Sequence, residues 1–424
     1  MGKFEDKREW MPPEERDKYL TEKFKDLATH AYNHAPVFKK KFDEAGVKPS
    51  DIKTIKDIEN FPIIERDEFI KLEREKPPFG GFLTVPPSQL KRIFVHPGPQ
   101  YETLAESDVE HALKVAEKIG VREGDIVINA LSYHLVAAGL FLDDLITGMG
   151  ATVVPTGIGN TDLQVQIMHD LQATMFIGFP LFLMNVVKKA EELGYNFNRD
   201  FRLKKALALG SSPIRQSLEE DYKIDTREIY AYLPVGLAAA ECDEKNGMHI
   251  EEDFIVEIVD PVTGKQLPCG EVGEVIVTTL FNNILPRLRF GSGDLAYCTD
   301  EPCPCGRTAI RLVKVVGRVG EAVKTRGMFI HPLEAEDVVK NLAVSGINKF
   351  QVQVSHSHEN RRDEIIVQVE LADESVDKEK LTTCLITDFQ NRCRLKIDSI
   401  DFMERGNISA EAPCVVDLRK EIIL

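Results

Sequence analysis

The chain has no run approaching the ~18–20 consecutive apolar residues that a membrane-crossing helix needs, so its 424 residues give no reason to place it in a bilayer. The opening stretch, MGKFEDKREWMPPEERDKYL, is too densely charged to be a secretory signal. Positive charge is short: 53 Lys and Arg face 69 Asp and Glu, a formal net charge of −16. Nucleic acid and anionic membranes both call for a positive counterpart, so neither is expected as a partner. Cysteine is scarce as well, eight in the whole chain. That is too few for a disulfide framework, and without an export signal they are expected to be reduced thiols or metal ligands. No repeat of fixed period and no low-complexity tract interrupts the chain. What remains is an acidic, cytoplasmic protein of ordinary globular composition, long enough for two or three domains.

Residues 14–70 carry apolar positions at helical spacing, broken at NFPIIERDEF. From Val109 to about Gly210, helix-like segments such as DVEHALKVAEKIG and DLQVQIMHDLQ alternate with short apolar runs such as DIVINAL, ATVVPT and ATMFIGF. That alternation predicts βαβ units and a parallel sheet with helices on both faces, whose carboxyl edge is where such sheets bind ligands. After Glu241 the texture changes to hairpin-like strands, FIVEIVD and EVIVTTL, separated by a turn-rich segment, which predicts an antiparallel region. From Arg318 onward a strand–helix–strand mixture of about 100 residues predicts a small α+β domain, with a hinge near Gly317–Gly320.

Six stretches, taken in order, carry a resemblance: PFGGFLTVPPSQLKRI, LALGSSPI, REIYAYLPVGLAAAEC, GMHIEEDFIVEIVDPVTGKQLPCGEVGEVIVTTL, LPRLRFGSGDLAY and GRVGEAVKTRGMFIHPLEAEDVV. Together they resemble the phenylacetate–CoA ligase branch of the adenylate-forming superfamily across nearly the whole chain. The resemblance implies an α/β fold of two parts. Residues 1–317 would form a large acyl- and nucleotide-binding domain with an antiparallel β subregion, and residues 318–424 a small α+β C-terminal lid. It also implies chemistry in which a carboxylate attacks ATP to give an acyl adenylate, which coenzyme A then captures as a thioester.

Adenylation needs donors aimed at the triphosphate, a magnesium ligand and a cation for the developing charge. Where the family has a Ser/Thr/Gly-rich loop with a lysine, this chain reads KRIFVHPGPQYET. Pro97 and Pro99 have no N–H to offer, no Ser, Thr or Lys lies between Val95 and Gln100, and His96 is expected to be solvated. The family run that stacks adenine and supplies a magnesium-binding Glu corresponds to Tyr230-Ala231-Tyr232-Leu233-Pro234, in which Tyr230 can still stack a base but the carboxylate is gone. Glu241 is the substitute within reach in sequence. The family's C-terminal lysine loop corresponds to RGNISAEAPCVVDLR, with no Lys between Gly406 and Leu418.

Other elements match. By the resemblance, Asp294 takes the ribose hydroxyls, Arg318 supports it, and Arg326 and Gly327 form the lid turn that approaches coenzyme A. Gly210, Ser211, Ser212 and Pro213 form the loop beside the adenine and acyl pocket, and Tyr133 lines that pocket. His134, next to Tyr133, is the acid–base candidate there. Four further side chains have metal-ligand character: Cys242 and His249, then Cys303 and Cys305 about fifty residues later. Two such pairs flanking a β-hairpin can meet if the hairpin folds back. A subgroup of the resembled family carries the same pieces and holds structural zinc there. Cys298 is the reserve ligand, and Cys269, Cys384, Cys393 and Cys414 read as ordinary thiols.

The expectation is an enzyme of the AMP-forming acyl-CoA ligase type. It would act on a small acyl or aryl acid or its CoA thioester, with CoA and structural zinc as cofactors, impaired use of ATP and magnesium, and a homodimeric state. The alternative is a catalytically divergent homologue, a pseudoenzyme that binds an acyl/CoA ligand or a partner subunit.

Overall fold

The computed structural model describes residues 6–419 except 97–99, 105, 210–213, 233–235, 262, 320–322, 327, 331–334, 337, 340–341, 343–345, 358–361, 374–375, 393–394 and 410–411. The chain falls into two compact units, residues 1–96 with 101–317, and residues 97–100 with 318–424.

The N-terminal stretch is helical, as its spacing predicts. Helices Pro13–His34 and Pro36–Ala45 meet at Ala35, and two short 3₁₀ turns lead on to Arg66–Glu75. Pro13 and Pro36 sit at first-turn positions, where a missing N–H costs nothing. Their apolar faces meet in a cluster of rings, with Phe24, Phe38 and Phe42 packed edge-on against Phe61 or Phe82. Strands β1 (Phe94–His96) and β2 (Gln100–Glu102) then pair as a small separate sheet.

The expected alternation follows. β3 (Ile126–Asn129), β4 (Thr152–Val154), β5 (Met175–Gly178), β6 (Lys205–Leu209) and β7 (Asp225–Tyr232) form a parallel sheet. Helix Glu106–Lys118 precedes the first of these strands, and helices Ala138–Gly148, Thr161–Asp170 and Pro180–Glu192 stand between them in sequence. Neighbouring strand residues feed different cores. Val127, Met175 and Ile177 pack with Ala112, Phe141 and Leu145 on one face, while Ile128 and Phe176 pack with Met168, Leu183 and Val186 on the other. A period of two with both faces apolar is what a doubly covered parallel strand requires.

The antiparallel region comprises β8 (Gly236–Glu241), β9 (Met248–Ile250), β10 (Phe254–Val259), β11 (Gly273–Thr279), β12 (Arg287–Thr299) and β13 (Arg311–Arg318). The antiparallel region predicted from the sequence texture is present, and its strands continue the parallel sheet without a break, giving eleven strands in the order β10-β11-β12-β13-β9-β8-β7-β6-β5-β3-β4. The junction is the β7–β8 hairpin, where direction reverses. Arg289 ties this half to the N-terminal helices: it donates to both oxygens of the buried Glu257 at 2.8 and 3.0 Å and to the Phe61 carbonyl at 2.7 Å.

In the C-terminal unit, β14 (Val323–Thr325) and β15 (Met328–Ile330) form a hairpin. β16 (Ile347–Ser357), β17 (Arg362–Leu371), β18 (Ser399–Met403) and β19 (Val415–Asp417) form a four-stranded sheet in the order β18-β17-β16-β19. Helix Lys378–Arg392 covers it, burying Leu381, Leu385 and Phe389 against Val352, Val367 and Val369.

Candidate functional site

Tyr230 near the end of β7 and Asp294 in β12 are both buried, and the tyrosine hydroxyl donates to Asp294 Oδ2 at 2.9 Å. Three strands lie between β7 and β12 in the sheet order. At about 4.8 Å per strand a flat sheet would hold them about 19 Å apart. The bond therefore requires a sheet that curls back on itself, with these two side chains on the closing face. Asp294 is further fixed by its own N–H, which donates to Ser292 Oγ at 3.0 Å.

Tyr133 lies in the loop after β3. Its hydroxyl donates to Asp143 at 3.0 Å and accepts from Asn129 Nδ2 at 2.8 Å. Burial, with the Asp143 carboxylate, raises its pKa above the ordinary phenol value. Asn129 also donates to the Gly139 carbonyl at 2.9 Å. A Cβ on Gly139 would stand 2.5 Å from the Ser132 carbonyl oxygen, so only glycine lets helix Ala138–Gly148 begin this close to the Tyr133 loop. His134 is exposed; its carbonyl accepts from Val136 N–H at 2.7 Å.

Two sequence expectations change. His96 is not a solvated loop residue: it is largely buried and its Nε2 is paired with the fully buried Glu102. Glu241, the substitute the sequence offers for the magnesium ligand, is already engaged. Arg215 donates to both of its oxygens at 2.9 Å, and the Glu228 N–H donates to Oε2 at 2.8 Å. Burial pushes the Glu241 carboxyl above its ordinary pKa while Arg215 pulls it down. The two-pronged bond needs the ionised form, so the carboxylate is committed to Arg215. Sequence reasoning missed Arg215 because it lies 26 positions before Glu241, outside any motif.

Gly210, Ser211, Ser212, Pro213 and Gly327 lie outside the described residues, as do Leu233, Pro234 and the two prolines 97 and 99. Arg318 closes β13, and its side chain is likewise outside the described set. Arg326, in the β14–β15 turn with φ of 49°, folds its guanidinium onto its own unit. It donates to the Asp363 carbonyl at 2.6 and 3.1 Å and to the Lys396 carbonyl at 2.9 Å, and pairs with Asp398.

Cys242, His249, Cys303 and Cys305 do come together, with ligand atoms all within 4.8 Å of one another. Topology explains the convergence. Cys242 follows β8, His249 is in β9, and β13 pairs β9 so that Arg311 faces His249, which brings the loop before β13 to the same end. Cys242 Sγ is 3.8 Å from Cys303 Sγ, and Cys305 Sγ is 3.3 Å from His249 Nε2. Metal–ligand bonds of 2.0–2.3 Å at a tetrahedral ion place neighbouring ligands about 3.3–3.8 Å apart, so the donor set fits zinc. His249 Nδ1 faces the Ala309 carbonyl at 3.3 Å, which leaves Nε2 as the lone-pair nitrogen. Burial, reinforced by Arg307, pushes His249 down to about 4, so the ring is neutral near pH 7. Burial opposes ionisation of Cys305, yet the Arg307 N–H and neighbouring groups bring its thiol below the ordinary value. Cys298 is not a reserve ligand: it lies outside this cluster and its sulfur faces Cys269 at 2.9 Å, so neither behaves as an isolated thiol. Cys393 is outside the described residues.

Among the described residues no helix is long and apolar enough to cross a membrane. No family model matches the chain. Over 334 residues it is 31% identical to the phenylacetate-coenzyme A ligase of Aromatoleum evansii, covering 75% of this chain and 74% of that one. It is 29% identical over 382 residues to the phenylacetate-coenzyme A ligase of Thermus thermophilus, covering 86% and 83%. Its fold is similar to that of 2-hydroxyisobutyryl-CoA ligase solved with 2-HIB-AMP and CoA in the thioesterification state. That likeness has a TM-score of 0.89 at 24% identity and covers 97% of this chain and 92% of the other.

Proposed function

This chain belongs to the phenylacetate–CoA ligase family, and from that premise we propose that it binds an aryl or acyl carboxylate, or its coenzyme A thioester, with ATP-dependent adenylation impaired. In this reading residues 1–317 hold the acyl group and the nucleotide, and residues 318–424 act as the lid. Asp294 accepts from the ribose hydroxyls, Tyr230 fixes its rotamer, and Arg318 supports it. Tyr133 lines the acyl pocket beside the loop 210–213, and Arg326 with Gly327 meets coenzyme A. His134 has the weakest support of the group, because it is exposed.

One observation carries the impairment. The motif that supplies a magnesium-binding carboxylate in the family holds Leu233 and Pro234 here, and the acid available as a replacement, Glu241, has both oxygens engaged by Arg215. A magnesium ion needs hard oxygen ligands free to turn toward it, and the Glu241 carboxylate is held in place by Arg215 and the Glu228 N–H. The test is carboxylate-dependent ATP–pyrophosphate exchange beside calorimetric titration with CoA and acyl-CoA. Exchange at background with measurable CoA or acyl-CoA binding is the expected result. Exchange well above background overturns the impairment and restores a full ligase. Binding of neither ligand, with a subunit that co-purifies, points to the pseudoenzyme alternative.

At the cysteine–histidine cluster we propose structural zinc. Cys242, His249, Cys303 and Cys305 would hold it, and four protein ligands leave no open position for a reacting water. Such an ion supplies cross-linking between β8, β9 and the loop before β13, not chemistry on substrate. Elemental analysis of native protein showing about one zinc per chain supports it; its absence overturns it.

A further inference from the structure

Outside the metal cluster, the turn between β10 and β11 and the far end of β12 bring a second pair of cysteines together. Cys269 Sγ lies 2.9 Å from Cys298 Sγ, and the Gly270 N–H donates to the Cys298 carbonyl at 2.9 Å. The backbones are therefore already held side by side. A disulfide has an S–S bond of about 2.05 Å, so closing the gap takes about 0.9 Å of side-chain rotation. The two thiols differ in access. Cys269 is exposed, while Cys298 is buried in the core shared by the antiparallel strands and the N-terminal helices. An exposed thiol that meets the oxidant, backed by a buried thiol that resolves it, is the arrangement that dithiol–disulfide exchange needs.

We propose that Cys269 and Cys298 form a redox-active dithiol that closes to a disulfide by exchange with a small oxidised thiol. The Cys269 thiolate attacks one sulfur of a disulfide RSSR, forming a protein–S–S–R bond and breaking the R–S–S–R bond, and the departing RS⁻ takes up the proton that Cys269 gave to solvent. The Cys298 thiolate then attacks Cys269 Sγ, forming the intrachain bond and releasing the second RS⁻, which is protonated in the same way. The two protein thiols are oxidised, and RSSR is reduced to two RSH. Excess RSH runs both steps backwards. The bond staples the β10–β11 turn to β12, four residues beyond Asp294 on the same strand. The proposal is independent of how the protein uses ATP or CoA, and its readouts involve neither.

The experiment equilibrates the zinc-loaded full chain with glutathione disulfide, blocks residual thiols by alkylation, and maps peptides by mass spectrometry. The expected result is a cross-linked peptide pair containing Cys269 and Cys298, lost on treatment with excess reduced glutathione. Oxidation is also expected to raise the melting temperature by about 5 °C, from the closed loop of the unfolded chain. In Cys298→Ala the first exchange has no resolving partner, so one glutathionyl group should remain on Cys269. Reduced wild-type protein should bind one phenylarsine oxide across the pair, and Cys298→Ala should lose that binding. Recovery of both cysteines fully alkylated after equilibration overturns the proposal, as does a mixed disulfide on Cys269 that persists in the wild-type chain. Because the wild-type maps decide the matter, a variant that fails to fold leaves it testable.

Discussion

The cysteine–histidine cluster and the Glu241 carboxylate begin from the same kind of sequence argument: a ligand-type side chain at a suggestive position. They end in opposite places. The four sulfur and nitrogen donors all lie within 4.8 Å of one another, two of the pairs at 3.3 and 3.8 Å, a convergence that an ion between them would account for. Glu241, immediately beside Cys242, accepts a guanidinium N–H on each oxygen, and on one of them a backbone N–H as well. A residue type suggests a ligand; whether its lone pairs are already spoken for decides the matter. In the cluster four donors converge on one point, and at Glu241 the carboxylate is clamped by Arg215.

The sharpest way to break this comparison is to empty the open side. A structural zinc closing four ligands contributes several kcal/mol to folding. At about 2–4 °C per kcal/mol, Cys303→Ser, or metal removal by a chelator, should lower the melting temperature by on the order of 10 °C. Calorimetry with and without added zinc checks this. A chain that melts unchanged after losing Cys303 would mean that the convergence of donors is incidental packing.

The closed side should respond through stability, not through metal. Breaking a buried ion pair costs about 3–5 kcal/mol when one partner is left uncompensated. Arg215 retains Glu219 at 3.1 Å and Glu228 at 3.2 Å after Glu241 is removed, so Glu241→Ala should cost nearer 2–3 kcal/mol in urea unfolding. If instead Glu241→Gln leaves stability intact and abolishes a magnesium-dependent activity, the carboxylate is a metal ligand after all.

Much of the fold was legible because it rests on periodicity. The runs DIVINAL, ATMFIGF and ALAL announce buried parallel strands, and the helices between them repeat at 3.6 residues. What could not be read was continuity: nothing in FIVEIVD or EVIVTTL says that these hairpins extend the parallel sheet through β7 and β8, since strand neighbours are set by pairing across distance. The cysteine–histidine cluster was legible because its spacing is short within each pair. Arg215 with Glu241, His96 with Glu102, and Cys269 with Cys298 were not, because each bond joins residues whose side chains look unremarkable until the chain folds.

Glu73 gives a third case, between open and closed. It is buried, accepts from the Tyr101 N–H at 3.1 Å, and burial pushes its carboxyl to about 8 against the pull of Arg287. Its folded pKa lies above the unfolded carboxylate value, so the native state binds the extra proton between about pH 4.5 and 8. Stability from this group is therefore present below about pH 4.5 and declines as pH rises to 8. Glu73→Gln should remove that decline and leave the variant more stable than wild type at pH 8, by about 2 kcal/mol. Denaturation midpoints measured from pH 5 to 8 test it, and parallel slopes for both proteins would show that Glu73 is ionised throughout.

The smallest expected effect falls on Tyr230 and Asp294, where one bond serves both readings of the site. Tyr230→Phe keeps the ring and removes one donor from a buried carboxylate, which costs about 1–2 kcal/mol of stability. If Asp294 also holds ribose hydroxyls, the lost orientation should weaken AMP binding about three- to tenfold, while Asp294→Asn weakens it further because the charge-assisted bonds are gone. Titrating AMP into both variants separates these roles. Loss of stability with unchanged AMP affinity in Tyr230→Phe would assign the tyrosine to closing the curled sheet alone. Equal loss of affinity in both variants would mean that the hydroxyl–carboxylate pair acts on the nucleotide as a single unit, and that this part of the site, unlike Glu241, still has bonding capacity to give.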